Sequence, residues 1–176
     1  FLGDVNVRAK LQAFNQRIHG VSFAIMAQLG IPSGNENTFN GEDTVSFSIA
    51  AALSRYFDRC EFAVNFGYRY LPETVFLALT IGHELFYNVG VSVAVVPKTF
   101  DVLAELHGSI GLSGGVDRVN SPMGLLAGIR VFPMGNRALA IHLGAGIGVI
   151  GGYGSPGFRG FLNLVWNPAT GKRTRD

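Results

Sequence analysis

Bulky apolar side chains occupy every second position along nine segments of the chain, with small or polar residues between them. Successive side chains of a β-strand point to opposite faces, so this period of two predicts strands whose two faces differ in character. The segments are 5–13, 21–31, 45–54, 62–70, 85–95, 102–110, 123–131, 139–148 and 158–166. The sequence therefore predicts an all-β, antiparallel fold of nine strands.

The face between the bulky rows consists mostly of Gly, Ala and Ser, with an occasional Arg, Glu or His. A soluble sandwich or small barrel buries its large apolar residues and covers the other face with charged residues and Thr. Only 15% of the residues are charged, against about 25% in an ordinary soluble domain. Bulky side chains that face lipid and slim or ionic ones that face a crowded lumen fit this composition better. We therefore expect a transmembrane β-barrel, since strands that span hydrocarbon must close to pair every backbone group.

Short and long connections alternate along the chain, as periplasmic turns and extracellular loops do in outer-membrane barrels. Short turns are expected at 15–20, 55–59, 97–100 and 133–136, and longer loops at 32–43, 113–121 and 150–157. The remaining outer connection, 72–82, reads PETVFLALTIG and continues the parity of the following strand. It is either an extension of that strand or an extra hairpin, which would raise the strand count to ten.

The direction of the strands predicts that the barrel extends beyond them. If Trp166 anchors the last strand at the periplasmic interface, the alternating loops make the first strand run downward from the outside. A barrel with both ends in the periplasm has an even number of strands, and about 12 are expected here. An odd number of strands would then come from upstream or from another chain. Residues 1–166 are interpreted as an outer-membrane barrel that lacks N-terminal strands, and 167–176 as a periplasmic linker or tail.

Six segments carry a further signal, and they read LGDVNVRAKLQ, FAVNFGYRYLPE, HELFYNVGVSV, AELHGSIGL, VNSPMGLLAGIRV and GAGIGVIGGYGSPGFRGFLNLVW. The closing GYGSPGFRGFLNLVW is the most specific, because a Gly-rich loop and a Pro precede Phe-Arg and an alternating run to an aromatic residue. In this order, from Leu2 to Trp166, they resemble the barrel found ahead of outer-membrane-protein-A-type peptidoglycan-binding domains in many gram-negative bacteria. The resemblance implies a signal peptide and about three further strands upstream. It also implies Asp-rich repeats and a wall-binding domain downstream.

Ionisable residues on the face of small side chains are the candidate functional residues, because they would line the lumen of a barrel. They are Arg8, Lys10, Glu61, Arg69, Glu84, Glu105, His107, Arg130, His142 and Arg159. In a structural interpretation, the three glutamates pair with arginines on neighbouring strands, since an unpaired charge away from water is costly. In a functional interpretation, five cations over three carboxylates line a pore that slightly favours anions. The narrow interior of a barrel of about 10 to 12 strands favours the structural interpretation.

Five aromatic residues fit the girdles that mark the interfaces of a membrane, with ordinary packing as the alternative. They are Tyr68, Tyr70, Tyr87, Phe158 and Trp166. The expected partners are outer-membrane lipid and lipopolysaccharide, together with other outer-membrane subunits or the cell wall through a further domain. Nucleic acid is not expected, although the net charge is +2, because the 14 Lys and Arg residues are scattered and form no basic face.

No motif supports catalysis, a cofactor or a metal ion. Gly146, Gly148 and Gly151 have the spacing of a dinucleotide-binding loop, but no helix follows to receive a pyrophosphate. The pair His83-Glu84 begins like a zinc-protease motif, yet Tyr87 stands where the second His is required. A nucleophile elbow of the GxSxG kind is also missing from the sequence.

The expected function is that of a non-enzymatic integral protein of the cell outer membrane. It would serve as a structural or anchoring barrel, or as a narrow porin-like pore with a slight anion preference. Two alternatives remain open from sequence: a soluble ligand-binding β-barrel, and an outer-membrane barrel enzyme of the lipase or protease type. The enzyme would require a nucleophile close to His107 or His142.

Overall fold

The computed structural model describes residues 4–33, 44–76, 79–113, 119–135, 138–152 and 155–166. Its strands are β1 (Val5–Phe14), β2 (Ser22–Ile31), β3 (Ser46–Phe57), β4 (Cys60–Tyr70), β5 (Thr74–Phe76), β6 (Leu79–Ile81), β7 (Glu84–Val96), β8 (Phe100–Gly111), β9 (Met123–Val131), β10 (Leu139–Ile150) and β11 (Phe158–Trp166). A four-residue helix, α1 (Gln16–His19), lies between β1 and β2. No helix within these ranges has the length and apolar character needed to cross a membrane.

Nine of the strands form one antiparallel sheet in the order β1-β2-β3-β4-β7-β8-β9-β10-β11. The predicted all-β, antiparallel arrangement of nine strands is confirmed. The segment 72–82 contains a separate two-stranded hairpin, β5-β6, in which Thr74 lies opposite Ile81. An extra hairpin is therefore present, but it does not add a tenth strand to the large sheet.

The connections of the large sheet alternate between its two ends. Those at 15–21, 58–59, 97–99 and 132–138, none longer than seven residues, lie at what we call the turn end. Those at 32–45, 71–83, 112–122 and 151–157, none shorter than seven residues, lie at the opposite, loop end. Because β1 and β11 both begin at the loop end, these two outermost strands run in the same direction.

The large sheet has two edges, β1 and β11, and no pairing between them closes it in the described part of the chain. The nine strands therefore form an open sheet and show no closed barrel. Because β1 and β11 run in the same direction, they could pair with each other only in parallel.

The distribution of side chains over the two faces of the sheet is the inverse of that in a soluble protein, because the small residues are buried and the large apolar ones are exposed. Buried apolar positions on the strands are small, as at Ala24, Ala50, Ala94 and Ala140. The exposed face instead carries bulky apolar side chains on every long strand. They include Val5, Val7, Leu11, Ile25, Leu29, Phe47, Ile49, Leu53, Phe62, Val64, Phe66, Val89, Val93, Val102, Leu125, Leu143, Ile147, Phe158, Leu162 and Leu164. A contiguous apolar surface of this kind marks a site that contacts protein or lipid.

Local chemistry explains where the strands turn. Asn15 caps α1, because its side-chain oxygen accepts a hydrogen bond from the backbone N–H of Arg17 at 3.1 Å. Gly20 then leaves the helix with φ 75°, a left-handed conformation that glycine adopts without steric cost. Asp58, at φ 46°, makes the tight β3-β4 turn, and Asp tolerates this region better than most residues.

Candidate functional site

Two cavities lie on the face of small and polar side chains. The larger, of about 920 Å³, is lined by Arg8 of β1 and Arg159 of β11 together with residues of the strands between them. Residues at both edges of the sheet therefore face one space, so the sheet is strongly curled and this face is concave. The smaller cavity, of about 350 Å³, is lined from β4 to β11. We call them the loop-end cavity and the turn-end cavity.

The ten ionisable residues singled out from sequence divide between the two cavities. Those that line the loop-end cavity are Arg8, Lys10, Arg69, Glu84, His107 and Arg159. Those that line the turn-end cavity are Glu61, Glu105, Arg130 and His142. All ten therefore lie on the concave face, and the lining of a closed lumen by them stays a prediction.

Arg69 and Glu84 form an ion pair in the loop-end cavity. The two residues lie opposite each other on β4 and β7, and a guanidinium nitrogen of Arg69 is 2.5 Å from Glu84 Oε1. The same guanidinium lies 5.4 Å from the centre of the Phe86 ring, within range of a cation–π contact. This ion pair joins β4 to β7 at the loop end of the sheet. The two charges of the pair cancel each other.

A second ion pair, between Arg130 and Asp101, lies at the turn end. Asp101 Oδ2 accepts hydrogen bonds from Arg130 Nε at 3.0 Å and from Nη2 at 2.6 Å. Nη2 of Arg130 also lies 3.4 Å from Ser92 Oγ. Asp101 is 1% exposed, and such a buried carboxylate is stable only with hydrogen-bonding partners of this kind.

The expected pairing of glutamates with arginines is right for Glu84 and wrong for Glu61 and Glu105. The cross-strand neighbours of Glu61 are Tyr56 and Ser92, and those of Glu105 are Gly90 and Leu126. Within the described residues neither glutamate has a cation within ion-pair distance. Arg130 pairs with Asp101 instead because the register places the two residues directly opposite each other.

Asp101 is the site residue that the sequence reasoning missed. It belongs to the same alternating row as Leu103, Glu105 and His107, so continuing that row back by one step could have found it. With Asp101 included, the five concave cations face four carboxylates rather than three.

The unpaired charges are separated along the strands. Where the structure describes the chain, the loop-end cations outside the two ion pairs are Arg8, Lys10 and Arg159. Glu61 and Glu105 remain in the turn-end cavity. The concave face is thus basic towards the loop end and acidic towards the turn end.

The two histidines singled out from sequence, His107 and His142, do not lie together in the described part of the chain. His107 and His142 line different cavities. The Nδ1 atom of His107 is buried without a hydrogen-bond partner, so no carboxylate orients that ring through Nδ1. The same ranges contain no group of three or more His, Cys, Asp or Glu residues placed to hold a metal ion.

The predicted interface aromatics lie near the ends of the strands. Tyr68, Tyr70, Tyr87 and Phe158 are near the loop end, whereas Trp166 ends β11 at the turn end. Tyr68 and Tyr70 also contact His83, and the Tyr68 hydroxyl is 3.1 Å from His83 Nδ1. Four phenylalanines that were not among the predicted interface aromatics also lie at the turn end. Their rings contact each other in the pairs Phe14–Phe23 and Phe57–Phe62.

Comparison with known proteins gives one family. Residues 2–128 match the model of the family described as "Putative MetA-pathway of phenol degradation". The chain belongs to this family. It is a family of the outer-membrane barrel type, and the match gives no support for the more specific resemblance to outer-membrane-protein-A-type proteins. No curated protein matches the chain.

The family match covers β1 to β9 and ends inside β9. It includes both partners of the Arg69–Glu84 pair and also Asp101, whereas Arg130 lies just beyond it. The matched range therefore covers most of the large sheet and includes Glu61 and Glu105.

Proposed function

We propose that this chain forms most of a non-enzymatic β-barrel in the cell outer membrane, which encloses a narrow aqueous passage. The observation that carries the proposal is the inverted sheet, with bulky apolar side chains exposed on the convex face and small or charged ones on the concave face. Lipid is the solvent that such a convex face fits. Outer-membrane lipid and lipopolysaccharide are accordingly the proposed partners.

The spacing of aromatic residues supports a membrane-spanning band. On β4, the exposed Phe62 and Tyr70 are separated by eight residues, or about 26 Å along the strand at ~3.3 Å per residue. At the tilt of about 40° usual in outer-membrane barrels, that length rises about 20 Å of an apolar band about 25 Å tall. All 11 residues of β4, about 36 Å at ~3.3 Å per residue, are long enough to cross the band at this tilt.

The ion pairs and the free charges suggest two roles for the concave face. Arg69–Glu84 and Arg130–Asp101 each join neighbouring strands and support a structural role. The remaining cations, three against two free carboxylates, support a passage with a slight preference for anions. We propose that both roles are combined in one narrow barrel.

The family description favours a second candidate for the cargo. Because it connects these proteins with degradation of phenol, the passage of small aromatic compounds across the outer membrane is an alternative to the passage of inorganic anions. Liposomes containing the protein would distinguish the two cargoes through the relative rates of phenol and chloride entry.

Cell fractionation tests the membrane location. The natural protein should stay in the outer-membrane fraction after washing with salt and alkali, and should enter solution only with detergent. Recovery in the soluble fraction without detergent would contradict the proposal and would favour the soluble ligand-binding barrel.

Planar-bilayer recording tests the passage. Purified protein should give small, stable conductance steps with a modest preference for chloride over potassium. Detergent-dependent protein that gives no conductance would leave only the structural role. Esterase or protease activity abolished by His107→Ala or His142→Ala would instead support the enzyme alternative.

A further inference from the structure

Among the residues that the structure describes, three cations that line the loop-end cavity have no ion-pair partner. Arg8 and Lys10 project from β1 and Arg159 from β11, so they approach the cavity from opposite edges of the sheet. The carboxylate that lines the described part of this cavity is Glu84, and Arg69 already binds it at 2.5 Å. A net positive charge therefore faces a cavity of about 920 Å³, a size typical of small-molecule sites.

The same cavity also has an apolar lining. Its apolar members are Met26, Leu71, Ile81, Phe86, Pro122 and Met123. Phe86 is held in place on one side by the Arg69 guanidinium and lies next to Gly67, where a side chain would collide with the Phe86 ring. A positioned ring beside unpaired cations is suited to a ligand with one apolar and one anionic part.

We propose that the loop-end cavity binds a small organic carboxylate with a compact apolar body. The carboxylate lies among Arg8, Lys10 and Arg159, and the apolar part packs against Phe86 and Met26. The turn-end cavity repels the same ligand, because its unpaired charges are the carboxylates of Glu61 and Glu105. This inference rests on the proposed function, since it takes the concave face to be the interior of the barrel.

Calorimetric titration of the detergent-solubilised full-length protein with benzoate tests the site. Benzoate should bind at least tenfold more tightly than benzyl alcohol, which has the same ring without the charge, and more tightly than benzylammonium. Its affinity should fall as salt rises, because the attraction is between unlike charges.

A triple variant locates the binding. Arg8→Gln, Lys10→Gln and Arg159→Gln together should weaken benzoate binding by tenfold or more. Lys98→Gln is the matched control, because it removes a cation from the exposed β7-β8 turn and should leave binding unchanged. Circular dichroism of each variant in the same detergent should match the parent spectrum, which keeps a folding defect from imitating loss of the site.

Equal affinity for benzoate and benzyl alcohol would overturn the proposal, as would an absence of benzoate binding or equal weakening by Lys98→Gln. The titration requires neither conductance nor insertion into a bilayer. A protein that fractionates with the outer membrane but does not bind benzoate refutes this site alone. Recovery without detergent refutes the proposed function, whatever the titration shows.

Discussion

Asp101 and Arg130 show how a charge is accommodated inside the curled sheet. Asp101 is almost fully buried, and both hydrogen bonds from Arg130 reach one of its carboxylate oxygens. Removing one partner of a buried pair leaves an uncompensated charge, which costs far more than the loss of a pair at the surface. The pair at Arg69 differs, since 45% of the Arg69 side chain is exposed.

The first prediction compares these two pairs. Arg130→Met should lower the free energy of unfolding by about 3 kcal/mol, because the almost fully buried Asp101 carboxylate loses the two charged hydrogen bonds that this guanidinium donates. Arg69→Met, the control, should cost less than about 1 kcal/mol. Urea unfolding in detergent micelles or lipid vesicles measures both, and equal losses would argue against the assigned difference in burial.

Glycine at two concave positions allows neighbouring strands to pack closely. Gly128 and Gly144 lie opposite each other on β9 and β10. A Cβ atom at Gly144 would lie 2.5 Å from both the Ala127 carbonyl oxygen and the Phe161 ring. The backbone there leaves no room for a side chain.

The second prediction uses this contact. Gly144→Val should destabilise the protein by about 2 kcal/mol or more through overpacking. Gly160→Val on β11 is the control: no atom lies within 4 Å of its Cβ position, and its effect should stay within about 0.5 kcal/mol. Thermal unfolding of the two purified variants gives the comparison. An unchanged stability of Gly144→Val would mean that Gly144 has more space around it than described here.

At the scale of the element, β10 offers a test of the medium outside the sheet. Leu143 lies close to the middle of this strand and Val149 next to its loop end, and the two side chains are 53% and 51% exposed. Exposure is thus matched, whereas depth in a bilayer would differ. A water-facing surface would accept a charge equally well at both positions.

The third prediction follows from that difference. Leu143→Arg should cost about 2–4 kcal/mol and Val149→Arg about 0–1 kcal/mol, because the penalty for a cation facing lipid falls towards the interface. Unfolding in lipid vesicles measures the two values. Nearly equal effects, or improved solubility of both variants without detergent, would place water outside the sheet.

The positions of the strands, and the face of the sheet on which each residue lies, were the most predictable features of this structure. A period of two specifies which residues share a face, so nine strands and their bulky rows could be read from single segments. The residues of the β5-β6 hairpin continue the parity of β7, so the period of two predicts a hairpin and an extended strand equally. Only pairing of residues that are close in sequence, such as Thr74 with Ile81, separates a hairpin from an extended strand.

Cross-strand partners were less predictable than strands. All ten candidate ionisable residues were found from parity alone, but parity does not specify which residue lies opposite which. The register between β8 and β9 places Arg130 opposite Asp101 and Leu126 opposite Glu105, and the register between β7 and β8 places Gly90 on the other side of Glu105. A difference of one pair in register would change the whole charge arrangement.

For the whole molecule, the separation of charge along the strands predicts two opposite effects on ion preference. Glu61→Gln with Glu105→Gln should raise the ratio of chloride to potassium permeability, because the acidic part of the passage becomes neutral. Arg159→Gln should lower that ratio. Reversal potentials in a salt gradient across a planar bilayer measure both effects.

Lys98→Gln serves as the control for these recordings, since Lys98 lies in a turn outside both cavities. A fall in the ratio with Lys98→Gln as large as the fall with Arg159→Gln would show that overall charge, rather than charge along a passage, governs the current. Unchanged ratios in the two lumen variants would argue that ions do not pass along the concave face.

The order of the large sheet also has a consequence for how the chain folds. Each long strand pairs with the next long strand along the chain, and the small β5-β6 hairpin lies in sequence between the paired strands β4 and β7. The loop-closure entropy of each step is therefore small. Hairpins can therefore add one after another, and the edge of the growing sheet stays able to receive the next strand until the last one arrives.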